Sequence, residues 1–261
     1  MNIVVCIKQV PGTTEVKIDP QTNTLIREGV PSIINPLDAY ALEEGVRLRE
    51  KHGGRVTALS MGPPQAEESL REAISLGVDD AILISDRALA GSDTLATAYV
   101  LAKAVQKMGE IDLVICGRQT IDGDTGQVGP ELAVRLDMPF VAYVSHVEEV
   151  GEGFMRAQRM VDDGYEKVEM PLPGVITVVK EINVPRLPSL RGMMRAKSAK
   201  ITTWSAADLG MEWDKVGLAG SPTQVVRIFT PERHRTAQVL SGSADAQVEQ
   251  LVGILQEQRL I

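Results

Sequence analysis

Over its first 145 or so residues the chain alternates short apolar runs with amphipathic stretches, and that rhythm leaves few folds open. The runs 3–7, 56–61, 81–85 and 113–116 are rich in Val, Ile, Leu and Ala and too short for helices, so they read as buried strands. Between them, 36–52, 65–76 and 92–108 carry helical spacing, and a fourth helix follows over roughly 126–136. Asn35-Pro36 marks the first helix start, with Asn as N-cap and Pro at the first helical position, and Gly53-Gly54 ends it. Strands alternating with helices predict a doubly wound α/β fold with a mostly parallel sheet. Four further strands, 140–146, 154–161, 165–170 and 174–179, are expected next, some of them antiparallel at one edge. With only 3% aromatic residues, the core must be built from Val, Ile, Leu, Ala and Met, which suits such a sheet.

After Val179 the pattern changes. Residues 180–200 contain two prolines and few helix signals, and 201–240 show no long periodicity. A last helix is expected over 244–258, with Val248, Leu251, Val252 and Leu255 on one face. The organisation read from this is a nucleotide-binding domain over 1–200 and a C-terminal arm over 201–261.

Composition excludes several functions. A net charge of −8 argues against a nucleic-acid partner. No apolar run is long enough to insert into a membrane, and the first residues lack a basic start and a signal-type apolar core, so a cytoplasmic setting is expected. Cys6 and Cys116 sit in separate strand-like runs and read as reduced core residues. The three histidines lack ligand spacing, so no metal site is expected.

In open α/β sheets ligands bind beyond the carboxyl ends of the strands. Four segments fall there: 6–9, 34–38, 61–63 and 117–129. The last holds Gly117, Arg118, Gln119, Thr120, Asp122, Gly123, Asp124, Thr125, Gly126, Gln127 and Val128, a small and hydroxyl-rich loop that opens a helix. Its amides, with Thr125 and Gln127, could cradle a phosphate, although it is neither a P-loop nor a GxGxxG fingerprint. Asp122 and Asp124 oppose an anion unless they turn away or cap the helix. Gly91, Ser92, Asp93, Thr94 and Thr97 repeat the same form after the preceding strand, where Ser92 or Asp93 reads equally as an N-cap. No catalytic triad, metal cluster or carboxylate pair emerges, and Glu43, Glu44, Arg47 and Arg49 read as a solvated helix face. Such a chain binds a reactive group rather than supplying chemistry from its own side chains.

Residues 181–197 form the second informative segment. Arg186, Arg191, Arg195, Lys197 and Lys200 reverse the local charge, with Leu187, Leu190, Met193 and Met194 between them. A basic rim around exposed Leu and Met describes a docking surface for acidic proteins, the alternative being a surface loop whose apolar residues fold inward.

The chain resembles the electron-transfer flavoprotein β subunit. The resemblance rests most on Asn183, Pro185, Arg186, Ser189, Leu190, Met193, Met194, Ala196 and Lys197, which match that family's signature loop. Asn35-Pro36 with the Ala-x-Glu-Glu helix, Ser60 to Pro63, Gly117 to Asp122 and Arg235-Thr-Ala237 match as well. The resemblance implies an adenine-nucleotide-hydrolase-like fold with a protruding recognition loop and a C-terminal arm packed on a flavin-carrying α subunit. It implies that the loop docks acyl-CoA dehydrogenases through Leu190, and that most members hold AMP in the nucleotide site. Asp38, the 123–130 loop and the 91–97 segment resemble a subgroup that binds FAD there and bifurcates electrons from NADH. In that subgroup one electron reaches the α-subunit FAD and the dehydrogenase, and the other reaches ferredoxin or flavodoxin. The cofactor-binding residues then comprise Cys6, Lys8, Asn35, Pro36, Leu37, Asp38 and Met61 together with those of the 91–97 and 117–128 segments. The docking set is Arg186, Leu187, Leu190, Arg191, Met193, Met194 and Arg195. The alternatives are a non-bifurcating AMP-filled carrier and a stand-alone nucleotide-binding regulator.

Overall fold

The computed structural model describes residues 1–12, 17–18, 25–26, 32–226 and 237–261. They fall into two units, Met1–Val226 and Arg227–Ile261.

The first apolar run becomes β1 (Asn2–Cys6), and its alternation decides the architecture. Ile3 and Val5 face one side, against Ala41, Leu42 and Val46 of α1 (Pro36–His52) and Leu70 and Ile74 of α2 (Glu67–Leu76). Val4 and Cys6 face the other, against Val100 and Leu101 of α3 (Thr94–Met108) and Leu132 and Ala133 of α4 (Val128–Leu136). A strand with period two and helices on both faces is buried throughout, which is why these strands read as unbroken apolar runs. Each fully buried Leu or Ile contributes roughly 1.5–3 kcal/mol of transfer free energy.

Short strands precede α1: β2 (Gln9–Pro11) pairs with β5 (Ser32–Ile34), and β3 (Lys17–Ile18) with β4 (Leu25–Ile26). The sheet strands that follow are β6 (Arg55–Met61), β7 (Asp80–Ile84), β8 (Leu113–Gly117), β9 (Phe140–Gly151), β10 (Phe154–Val161), β11 (Gly164–Pro171), β12 (Gly174–Val178) and β13 (Thr202–Trp204). Nine strands form one sheet in the order β11-β10-β9-β12-β8-β1-β6-β7-β13. From β9 to β13 all neighbours are parallel, and β9, β10 and β11 make an antiparallel edge, as expected.

The chain first builds outward from β1 to β6 and β7, then returns to place β8 on the other side of β1. Strand order therefore reverses between β1 and β8, and the open crevice of a doubly wound sheet lies at that reversal.

Two elements differ from the sequence reading. Residues 190–198 form a helix, α5, whose N-cap Ser189 accepts a hydrogen bond from the Gly192 N–H. Thr202–Trp204 adds a last parallel strand beside β7, and Ala206, Leu209, Met211 and Val216 beyond it are buried in the α3 side of the core. The first unit thus runs on to Val226. In the second unit α6 (Ala244–Glu257) leaves Val248, Leu251 and Val252 exposed. Arg235 and Thr236 of the Arg-Thr-Ala motif lie outside the described residues.

Candidate functional site

Cys6 ends β1 and Cys116 sits beside it on β8, so the loops that leave these strands meet at the reversal point. Both cysteines are free and buried. The neighbouring Cys6 thiol and burial push the Cys116 thiol up.

Above them lies a bonded cluster centred on the start of α1. Asn35 is expected to cap that helix, but its side chain makes no cap bond. It is fully buried and turns instead toward the loop after β8. Its Nδ2 donates to Gln119 O at 2.9 Å, and its Oδ1 accepts from the Ile121 N–H at 3.1 Å. Asp38 Oδ1 accepts from Asn35 Nδ2 at 3.0 Å, and Oδ2 accepts from the Lys8 N–H at 2.8 Å. Burial pushes the Asp38 carboxyl up to about 7, against the opposing bonds from Asn35, Lys8 and Gly117. Gly117 has to be glycine, because a Cβ there would lie 2.3 Å from Asp38 Oδ1 and 2.8 Å from the Leu37 carbonyl carbon. One short helix start therefore holds both loops of the crevice in fixed positions.

The two acidic residues of the 117–129 loop are both bonded to neighbouring side chains. Asp122 accepts two 2.8 Å bonds from Lys8 Nζ. Burial works against its charge, but the Lys8 bond outweighs this and holds the carboxyl low. Asp124, at φ 55°, accepts from Gln119 Nε2. Arg118 lies over the Tyr143 ring at 5.0 Å, and its Nε is buried with no hydrogen-bond partner. The Ser60 hydroxyl, near the carboxyl end of β6, is likewise buried and unpaired. Thr125 and Gln127 are exposed, and Gln127 does not cap α4.

The 91–97 segment reaches the same place. Asp93 is the α3 N-cap, its Oδ1 accepting from the Ala96 N–H, so the capping reading holds for that residue. Thr94 Oγ1 lies 3.2 Å from Glu131 Oε1 and 3.4 Å from Gln127 Oε1, so α3 and α4 start side by side. Thr97 is half-buried one turn on. Burial raises the Glu131 carboxyl over the opposing Thr94 bond, and Asp93 adds to the effect. Sequence reasoning missed what secures this start. The Ser92 hydroxyl accepts from the Gly217 N–H, Ser221 Oγ accepts from the Asp93 N–H, and Thr223 donates twice to Asp93 Oδ2. These partners lie about 125 to 130 residues away in a stretch without periodicity, so no local signal marked them.

Two adjacent helix starts present amide groups at their N-termini, and an unpaired guanidinium nitrogen lies in the loop that joins β8 to α4. This donor set fits the phosphates of a nucleotide. Met61, Pro36 and Leu37 border the cluster at the strand and helix ends, and Cys6 lies beneath it. No group of three metal-ligating side chains occurs among the described residues.

The docking segment needs a correction. Glu43 and Glu44 do not belong to a solvated face: both are buried on α1. Glu43 takes bonds from Arg186 Nε at 2.8 Å and Arg47 Nε at 2.6 Å, and Glu44 takes one from Asn183 Nδ2 at 3.0 Å. Arg49 pairs with Asp79 at 3.0 Å. Arg186 also forms two bonds with Glu50, and Arg195 donates to the Ile74 and Val78 carbonyls at the end of α2. Two of the three arginines of the segment thus bond their own domain, Arg186 half-buried and Arg195 still exposed. Leu187, Leu190 and Met194 face solvent, at 88%, 78% and 73% exposure, with Met193 and Arg191 also exposed.

Among the described residues no helix is long and apolar enough to cross a membrane. Residues 22–209 match the model of the electron transfer flavoprotein domain. The chain is 52% identical to the electron transfer flavoprotein subunit beta of Thermoanaerobacterium thermosaccharolyticum, with all of both chains covered. It is 47% identical to the caffeyl-CoA reductase-Etf complex subunit CarD of Acetobacterium woodii, again over all of both chains. It is 46% identical to the protein FixA of Azorhizobium caulinodans, over 97% of this chain and 92% of that one. The chain belongs to the electron-transfer flavoprotein family, as a β-type subunit.

Proposed function

We propose that this chain is the β-type subunit of a bifurcating electron-transfer flavoprotein, and that the crevice at the β1/β8 reversal holds FAD. The observation that carries the reading is the side-by-side start of α3 and α4 at Thr94 and Gln127. Two helix starts suit a ligand with two phosphates, whereas AMP has one. A bound FAD would supply the redox chemistry, taking hydride from NADH and giving up electrons singly.

The chain's own part is to bind and orient. Asn35 and Asp38 lock the loops after β1 and β8 together. Lys8 neutralises Asp122 and so removes a charge that would repel phosphate. Thr94, Thr97, Thr125 and Gln127 offer hydroxyl and amide donors, and Arg118 offers a cation. The exposed Leu187, Leu190 and Met194 form the contact for an acyl-CoA dehydrogenase-type partner. A relative named as part of a caffeyl-CoA reductase-Etf complex supports a partner acting on acyl-CoA substrates. The α subunit binds alongside, and ferredoxin or flavodoxin takes the low-potential electron, in the cytoplasm.

The second reading is the AMP-filled carrier. It is favoured by the Glu131 carboxyl beside Thr94, which leaves less room for a second phosphate. Denaturing the purified αβ heterodimer and counting released nucleotides separates the two. Two FAD per heterodimer supports the proposal, and one FAD with one AMP overturns it.

A further inference from the structure

The buried acid pair on α1 has no part in the nucleotide crevice, and an ion pair of this kind is not needed to hold a helix on a sheet. Its carboxylates are spent on residues 183–186, immediately before the exposed leucines. Glu43 is almost wholly buried, its side chain 4% exposed, yet both of its oxygens are bonded to Arg186. It also accepts from the Arg186 backbone N–H at 3.1 Å. Burial works against its charge, and the Arg186 and Arg47 bonds overcome this and hold the carboxyl below the usual range. Glu44 takes Asn183 Nδ2, which also donates to the Tyr40 carbonyl.

Further along the segment, α5 is held by a separate contact to α2. Arg195 closes off α2 carbonyls, Arg71 donates to the Ala196 and Ala199 carbonyls, and a Cβ on Gly192 would lie 2.1 Å from Ser75 O. Between these two fixed ends, residues 187–190 carry the outward side chains and, among the described residues, make no side-chain hydrogen bond to the rest of the domain; Ser189 caps α5 itself. The direction in which Leu187 and Leu190 point is therefore set at one end by where Arg186 is gripped and at the other by the α5–α2 contact.

We propose that Glu43 is the positioning residue for partner docking: its carboxylate fixes Arg186, and through it the pose of Leu187 and Leu190. This rests on the docking reading of residues 181–197. The same helix begins at Asn35 and Asp38, so the nucleotide crevice and the docking leucines are referred to one rigid element. Preorganisation of this kind lowers the ordering cost of binding without adding a contact.

The test uses the αβ heterodimer with the source organism's short-chain acyl-CoA dehydrogenase as probe. Glu43→Gln keeps the shape and one acceptor oxygen while removing the charge. The proposal expects KM for the dehydrogenase to rise about tenfold, the scale of a lost hydrogen bond to a charged group, while kcat at saturation stays put. NADH reduction of the bound flavin and flavin content should not change. Combined with Leu190→Ala, Glu43→Gln should add little, because both act on one contact. Glu50→Gln, at the exposed arm of the Arg186 pair, should give a smaller rise in the same direction and covers the case of a poorly folding Glu43 variant. If Leu190→Ala raises KM but neither glutamate variant does, or if the double variant is fully additive, the positioning role is wrong. If Leu190→Ala itself leaves KM unchanged, the docking reading fails first and the proposal with it.

Discussion

Asp38 carries a pH dependence whose sign and size follow from its surroundings. Its carboxyl is 5% exposed and accepts from the Lys8 N–H and from Asn35. Burial dominates over these bonds and raises the group from 3.8 to about 7. A carboxyl raised in the folded state binds its proton more tightly there than in the unfolded chain. Its stabilising contribution is therefore complete below the unfolded value and is lost as pH rises through the folded one. Between about pH 5.5 and about pH 8.5 the loss integrates to about 2 kcal/mol, from roughly 1.5 units at 1.36 kcal/mol each. Asp38→Asn abolishes the titration while keeping one acceptor oxygen. Urea unfolding of wild-type and variant heterodimers, at one protein concentration across this range, isolates the effect, because every other titrating group cancels in the difference. Wild type should lose stability relative to the variant as pH rises from about 5.5, with the loss levelling off above about 7. Two parallel profiles, or a wild type that gains on the variant with pH, would refute the assignment.

Gly117→Ala should be far more damaging than a loop glycine change, because the new Cβ meets Leu37 and Asp38 backbone as well as the carboxylate. A loss of about 2 kcal/mol or more and weakened nucleotide retention are expected, read by unfolding and by nucleotide content after gel filtration. The arginines of the docking segment should divide by where they point. Arg191→Ala should slow association with the dehydrogenase and flatten its salt dependence without touching stability. Arg195→Ala should lower the melting temperature instead, because it uncovers the carbonyls at the end of α2.

What the sequence disclosed and what it hid divide along the range of the interactions. β1, α1, β6 and β8 were legible because their burial is written in local periodicity: Val4 and Val5 face opposite helices, and the residue types say so. α5 was not legible, since Leu-Arg-Gly-Met-Met-Arg-Ala-Lys-Ser holds a glycine in its first turn and follows two prolines. Its helix is held in place by the bonds of Arg195 and Arg71 and by the close approach of Gly192 to α2. β13 is three residues long and is defined by its partner β7 alone. Glu43 and Glu44 looked solvated because charged residues on a helix usually are. Their partners Arg186 and Asn183 lie 143 and 139 residues further on, beyond any pattern a local reading can see. The crevice was found through the strand-end rule and the hydroxyl-rich loops, yet Asn35 was cast as a cap when it is the residue that joins α1 to the 119–121 backbone.

The most direct test of the account is whether the two electrons of NADH leave by two routes. Purified heterodimer is given NADH, ferredoxin and the acyl-CoA dehydrogenase, and ferredoxin reduction is followed with and without the dehydrogenase's enoyl-CoA acceptor. The account predicts that ferredoxin is reduced only when the acceptor is present, with one electron to ferredoxin for each electron passed to the dehydrogenase. Ferredoxin that stays oxidised in the full mixture while the dehydrogenase is reduced would contradict it.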